Sequence, residues 1–330
     1  MALLMFAVPV SAVTVADPRG DSLVAMRVLD EQVARIGHRL AVANLDLCAD
    51  RRWLPGFAVH DLSQYGGEYR DAASRAFGLG ARPAVLAVPP GGPADRAGLR
   101  ADDLLVSLDG AALPDGESAS DGSFERMEHI LGAIETAFAD GVADVEFERG
   151  GVSLAVRVEA ERGCPSRFQV IPSRRLNALA DGRYVQLTTA IADYAQDEQE
   201  LAAVLAHEFA HNVLSHRARL DAADVERGFF GNFGRNARLI RETEIEADRL
   251  SVYLLDRAGY DPEAPVRFWT RFGKRGLNFL GSATHPNWRR RIDLFRTEIE
   301  AIRRSRAAGD LPIPEFLSAP ADAPEATARR

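Results

Sequence analysis

Cysteine and lysine are what this chain has least of. Two cysteines, Cys48 and Cys164, stand in 330 residues. That excludes a metal site built from cysteine alone and the disulfide-dense scaffold of a small secreted domain. One lysine, Lys274, stands beside 39 arginines, and the arginines are scattered rather than gathered in a stripe. With a net charge of −8 the chain carries no electrostatic footprint for nucleic acid. No apolar run reaches the roughly 20 residues that cross a bilayer. Apolar residues at 46% and charged residues at 27% are a globular balance, which removes wholesale disorder and fibrous classes. The length suggests about two domains.

Residues 2–16, ALLMFAVPVSAVTVA, run without a charge. This fits the apolar core of a secretory signal, with Val10-Ser11-Ala12 or Thr14-Val15-Ala16 as cleavage sites, although no Lys or Arg precedes it. The sequence predicts a signal peptide over 1–16 and an exported protein, periplasmic or membrane-associated on the extracytoplasmic side. An uncleaved anchor is the alternative. Export makes a Cys48–Cys164 disulfide the expectation, since closing so long a loop stabilises by about 3–5 kcal/mol. Two unrelated buried thiols are the other reading.

From Asp21 to Cys48 apolar residues recur at helical steps, among them Leu23, Met26, Leu29, Val33, Ile36 and Leu40. Residues 52–160 read differently. Short β-rich runs alternate with Pro and Gly clusters, Phe124 to Phe138 is amphipathic, and two alternating runs flank Gly150-Gly151 as a hairpin. Gly92-Pro93-Ala94-Asp95-Arg96-Ala97-Gly98-Leu99, then Asp102-Asp103-Leu104-Leu105-Val106 and Leu108-Asp109-Gly110, resemble the signature of a bacterial PDZ domain. The resemblance implies peptide binding by strand addition. Phe77-Gly78-Leu79-Gly80 is the candidate carboxylate-binding loop, four residues short of the strand at 84–88. A PDZ fold that only spaces or shields its neighbour is the competing reading.

Chemistry concentrates in two stretches. Residues 197–219, DEQELAAVLAHEFAHNVLSHRAR, predict a buried helix capped by Asp197. His207 and His211, four residues apart, project from one side of it and can ligate one Zn²⁺. Glu208 is turned too far round to be a ligand but can reach a water there, as a general base must. A second helix, 236–258, carries Glu244-Ile245-Glu246-Ala247-Asp248. Glu244 is the expected third ligand and Glu246 a weaker candidate. Asp248, one turn on, can hold a ligand imidazole by its N–H. Arg217 stands where a metzincin needs its third histidine. His216, one residue earlier, is read as structural or as a support to a ligand.

HEFAH with His216, then Glu244 to Asp248, His285-Pro286 and upstream Asn177-Ala178, together resemble the gluzincin zinc metallopeptidases of the HtpX and CAAX prenyl protease family, in its soluble exported branch. The resemblance implies one Zn²⁺ per chain, peptide-bond hydrolysis and protein or peptide substrates. It offers His285 and Arg289 to Arg291 as oxyanion candidates, against a plain packing role. It also implies that the strand 183–188, with Tyr184, Val185 and Gln186, is the sheet edge along which substrate lies.

The predicted fold class is α+β: a mainly helical zincin catalytic domain with a small edge sheet, plus an inserted β-rich PDZ-like domain. The parts are an N-terminal helix of the catalytic domain over 21–50, the PDZ-like domain over 52–160, the catalytic domain over 165–305 and a tail over 310–330, disordered or else loosely docked. Phe229, Phe230 and Phe233 lie on a Gly-hinged stretch. They are expected in the core; a lid or a peripheral membrane contact is the alternative. The competing function is a non-proteolytic PDZ-containing chaperone or adaptor with a structural zinc site.

Overall fold

A computed structural model describes residues 17–114, 122–225, 234–275 and 287–318. The first helix, α1 (Pro18–Ala43), starts where Asp17 accepts from the backbone N–H groups of Arg19 and Gly20, with Pro18 in the first turn. Its stripe of Val33, Ile36, Leu40 and Ala41 is buried, and not against its sequence neighbours. These residues join the core of the second half of the chain.

Between α1 and its partners the chain makes a separate unit. The strand β1 (Arg52–Leu54) leads into β2 (Ala58–His60), α2 (Arg70–Phe77), β3 (Ala84–Ala87) and α3 (Pro93–Ala97). β4 (Leu104–Leu108), β5 (Ala111–Ala112), α4 (Glu125–Ala137), β6 (Val142–Arg149) and β7 (Val152–Glu159) follow. The strands form an antiparallel sheet in the order β2-β3-β4-β6-β7, with β5 beside β4. β6 and β7 pair from Val142↔Glu159 to Arg149↔Val152. Their turn needs Gly150 and Gly151, both at positive φ (59° and 78°), which a right-twisted two-residue hairpin demands. Val85, Leu105, Met127, Ile130, Phe138 and Phe147 fill the core. β8 (Glu161–Gly163) then returns to pair with β1, Arg52 opposite Gly163. Beside this ladder a disulfide joins Cys48 and Cys164, Cα atoms 5.7 Å apart.

The remaining chain is mostly helical. β9 (Arg167–Ile171), β10 (Ala178–Ala180) and β11 (Tyr184–Thr188) form a three-stranded sheet in the order β10-β11-β9. α5 (Thr189–Tyr194), α6 (Glu198–Val213), α7 (His216–Ala222) and α8 (Gly234–Arg257) follow, then α9 (Ala264–Lys274), α10 (Trp288–Ala308) and α11 (Glu315–Ser318). α6 is buried along most of its length and packs across α8, which leans on α10. Thirty-four buried apolar residues from α1, the small sheet and these helices form one core.

Two expectations need correcting. β11 is the central strand of its sheet, hydrogen-bonded to β10 on one side and β9 on the other. The edges are β9 and β10, so Tyr184, Val185 and Gln186 have no free main-chain edge to offer. Residues 310–318 are ordered: Arg257 donates to the Pro312 carbonyl at 3.2 Å, and the Phe316 ring lies under the Arg249 guanidinium. An aromatic ring with an apolar surface to cover outweighed the Pro-rich composition.

Candidate active site

α6 carries His207 and His211 one helical turn apart, so their rings share a side of the helix. α8 crosses that side and presents Glu244. His207 Nε2 and His211 Nε2 are 3.4 Å apart; Glu244 Oε2 lies 3.4 Å from the first and Glu244 Oε1 3.5 Å from the second. Three donors bound at 2.0–2.1 Å to one tetrahedral ion should be separated by about 3.3–3.4 Å. The two imidazole nitrogens have that separation, and one ligand atom from each of the three residues lies within 4.8 Å of the others, close enough to close on a single zinc ion. Among the described residues it is the one cluster of such donors.

The surroundings fix which ring nitrogen faces the ion. His207 Nδ1 lies 3.0 Å from Asp248 Oδ1. Asp248, fully buried, also takes Arg291 Nε at 2.8 Å and Nη2 at 2.5 Å. The Arg291 guanidinium stacks 3.5 Å from the Trp269 ring centroid. Burial works against the charge of Asp248, but Arg291 and His207 outweigh it and hold the carboxyl below its usual range. Burial likewise opposes a charged His207, yet the Asp248 and Glu244 carboxylates raise it to about 9. For His211 burial wins and pushes the ring down to about 3. A ligand imidazole is neutral, so a cation here competes with protonation of His207.

Glu208 is half-buried on α6 next to His207. Glu246, the weaker ligand candidate, is turned away from the triangle and engages His216 and Arg219 instead. His285 and the aromatic stretch Phe229, Phe230 and Phe233 lie outside the described residues, as do the segments 1–16 and 319–330. Arg291 was only one of three neighbouring candidates in the sequence. Its signal was its place in line with Phe295 and Ile302 on the buried stripe of α10.

Tyr184 is engaged at the boundary between the two units. Its hydroxyl donates to Glu128 of α4 and receives Arg167 Nη1 at 2.9 Å, while Arg183 reaches Glu128 at 2.8 Å and Arg167 pairs with Glu135. Asn212, the residue after His211, accepts the Gly182 N–H at 2.8 Å and donates to the Tyr184 carbonyl at 3.2 Å. It pins the small sheet to the helix of the two histidines. β10, one edge of the small sheet, is in contact with that helix, while β9, the other edge, packs on α1.

Phe77-Gly78-Leu79-Gly80 is not placed beside a free strand edge, as a carboxylate-binding loop requires. Gly78 ends α2 in the left-handed region, Leu79 is buried, and β3 is enclosed by β2 and β4. The edges of this sheet are β2 and β7, and Leu54-Pro55-Gly56-Phe57 abuts β2 directly, with Gly56 at φ +76°. An added Cβ on Gly56 would meet Pro93 at 2.7 Å. β2 and α4 line a cavity of about 1390 Å³ whose far wall is α1 and β9. Asp30 of α1 lines it too. Burial raises its carboxyl to about 7, against the backbone N–H of Val170.

Comparison with known proteins gives the same division. Residues 148–227 and 232–299 match the family model of peptidase family M48, and residues 85–121 that of a PDZ domain. Mitochondrial metalloendopeptidase OMA1 of Schizosaccharomyces pombe is 32% identical over 124 residues, 31% of this chain and 37% of that one. A putative beta-barrel assembly-enhancing protease of Vibrio cholerae is 33% identical over 136 residues, 32% and 28% of the two chains. The beta-barrel assembly-enhancing protease of Escherichia coli is 29% identical over 157 residues, 37% and 32% of the two chains. The chain thus spans about a third of the length of these relatives. The His207–His211–Glu244 cluster lies inside the segments that match peptidase family M48, and the PDZ match precedes them.

Proposed function

We propose that the protein is a zinc-dependent metalloendopeptidase that cleaves exported or envelope proteins. The observation that carries this is the convergence of His207 Nε2, His211 Nε2 and the Glu244 carboxylate, each imidazole nitrogen within 3.5 Å of a Glu244 oxygen and the two nitrogens 3.4 Å apart. A zinc ion held by these three supplies a Lewis acid for the scissile carbonyl and makes a water acidic near neutral pH. Glu208 takes the proton of the attacking water and returns it to the leaving amine. Asp248, locked by Arg291, keeps His207 in the tautomer that leaves Nε2 free to bind.

Substrate lies extended against β10, bonding by main-chain groups to the outer edge of Ala178–Ala180. That edge selects little by side chain, so selection falls to access and to the groove between β2 and α4. Export rests on the apolar run 2–16 and on the disulfide, a bond of oxidising compartments. Among the described residues no helix is long and apolar enough to cross a membrane. The adaptor reading gives Glu208 no task.

The test is Glu208→Gln beside wild type. The variant should retain one zinc per chain and lose cleavage of a loosely folded substrate such as casein by about 10²–10⁴-fold, the range of a general base. Equal cleavage by both defeats the hydrolytic reading.

A further inference from the structure

The two imidazoles of the triangle are supported in different ways. His207 donates directly to a carboxylate, Asp248, which is held by Arg291. Among the described residues, the outer nitrogen of His211 meets an imidazole where that of His207 meets a carboxylate. Its Nδ1 lies 2.9 Å from Nδ1 of a third imidazole, His216. The other nitrogen of His216, Nε2, lies 3.0 Å from Glu246 Oε2. Glu246 is gripped in turn by Arg219, at 2.5 Å to Oε2 and 3.2 Å to Oε1. His216 is 2% exposed.

Protons can be assigned along this chain. Two neutral imidazole nitrogens at 2.9 Å need one hydrogen between them. If His211 gives its Nε2 lone pair to the ion, its proton sits on Nδ1. His216 must then accept at Nδ1 and carry its own proton on Nε2, which faces the carboxylate of Glu246. Each link has a donor on one side and an acceptor on the other. The chain ends on an arginine, as the one through His207 does.

The backbone is shaped for this contact. On an unbroken helix a residue five positions on is rotated about 140° from its predecessor. His216 could not then face His211. α6 ends at Val213, and Ser215 adopts φ +52°, ψ +36°, a conformation disfavoured for a residue with a side chain. That bend turns the start of α7 back so that His216 meets the far side of the His211 ring. Among the described residues only Asp102, Asp109 and Asp224 share this sign of φ without being glycine.

We infer that His216 and Glu246 form a positioning relay, His211 Nδ1–H to His216 to Glu246 with Arg219, that fixes the tautomer and orientation of one metal ligand through an interposed imidazole. The inference rests on the assignment of His207, His211 and Glu244 as ligands. It adds two positioning residues that touch neither the ion nor the substrate. In related arrangements, removal of such an outer partner lowers metal affinity about 10–100-fold.

Zinc affinity, measured by competition with a chromophoric chelator at fixed pH, reads the relay without reference to turnover. His216→Leu should weaken zinc binding about 10–100-fold. His216→Asn, whose amide oxygen can accept near the place of Nδ1, should recover most of the loss. Glu246→Gln should give a smaller loss. In zinc-loaded protein labelled with ¹⁵N-histidine, His216 should be the Nε2–H tautomer. The relay is overturned if His216→Leu is folded and binds zinc as wild type does, if Asn restores nothing, or if His216 carries its proton on Nδ1. Should the Leu variant not fold, Glu246→Gln and the tautomer decide: wild-type affinity together with an Nδ1–H His216 overturns the relay. Wild-type protein that binds no zinc overturns the ligand assignment itself, and the relay with it.

Discussion

Arg291→Leu is the substitution whose cost the structure defines most sharply. Arg291 is 2% exposed and Asp248 0%. Two charge-assisted hydrogen bonds join them, at 2.8 and 2.5 Å, and the guanidinium lies on the Trp269 ring. Leucine fills part of the volume but leaves a buried carboxylate with His207 as its remaining named partner. Breaking one side of a buried pair costs about 3–5 kcal/mol, most of it the price of stranding the other charge. Loss of the stacked cation adds about 0.5–2 kcal/mol. Asp248→Asn in the same chain removes the stranded charge. The double variant should therefore be more stable than the sum of the two single losses predicts, by about 1–3 kcal/mol, the range for contacting residues. The assay is urea unfolding of metal-free protein followed by tryptophan fluorescence, with Trp269 as the local reporter. A cost below about 1 kcal/mol for Arg291→Leu, or strict additivity in the double variant, would refute the reasoning.

Three further outcomes follow from the same geometry. Reducing the Cys48–Cys164 bond, or replacing both cysteines by serine, should cost up to about 5 kcal/mol, the loop-closure value for a separation of 116 residues; unchanged urea midpoints with and without reductant contradict it. Asp30 is raised in the fold from 3.8 to about 7. The stability attached to its protonated form is present below the unfolded value and lost as pH rises through the folded one. Asp30→Asn should thus gain on wild type as metal-free protein is taken from pH 5 to 7.5; a constant gap in melting temperature across that window sinks the argument. Arg183→Ala should loosen α4 from the small sheet by roughly 0.2–1 kcal/mol, as a half-exposed pair allows. Faster amide exchange in α4 with an unchanged core in α6 is the expected readout, and a uniform change across both is the contrary one.

How much of this was legible in the sequence depends on the range over which each signal acts. His207, His211 and the Glu244–Asp248 pair are separated by single helical turns, and a spacing of four fixes a shared face once the helix is granted. The meeting of α6 and α8 was inferred from chemistry. The β-hairpin at Gly150-Gly151 was equally local. Strand order was not: β11 alternates like an edge strand, and nothing in Tyr184–Thr188 records that β9 and β10 flank it. β2, only three residues long, gave no alternation by which to recognise Leu54-Pro55-Gly56-Phe57 as the loop before it. Arg291 was hidden among Arg289 and Arg290, because which of three consecutive arginines turns inward is set by the packing of α10.

The placement of the PDZ unit has a consequence for synthesis. α1 is made before the PDZ unit, yet Ala203, Phe209 and Leu254, in the core that receives it, emerge only after that whole intervening unit. At 5–20 residues per second, the interval between Cys48 and Cys164 is on the order of ten seconds. During it the inserted sheet can close on its own core while an amphipathic helix waits with its oily stripe in water. The ladder of β1 with β8 is what brings the two ends of the delay together, so a helix made before the inserted unit is covered only after it.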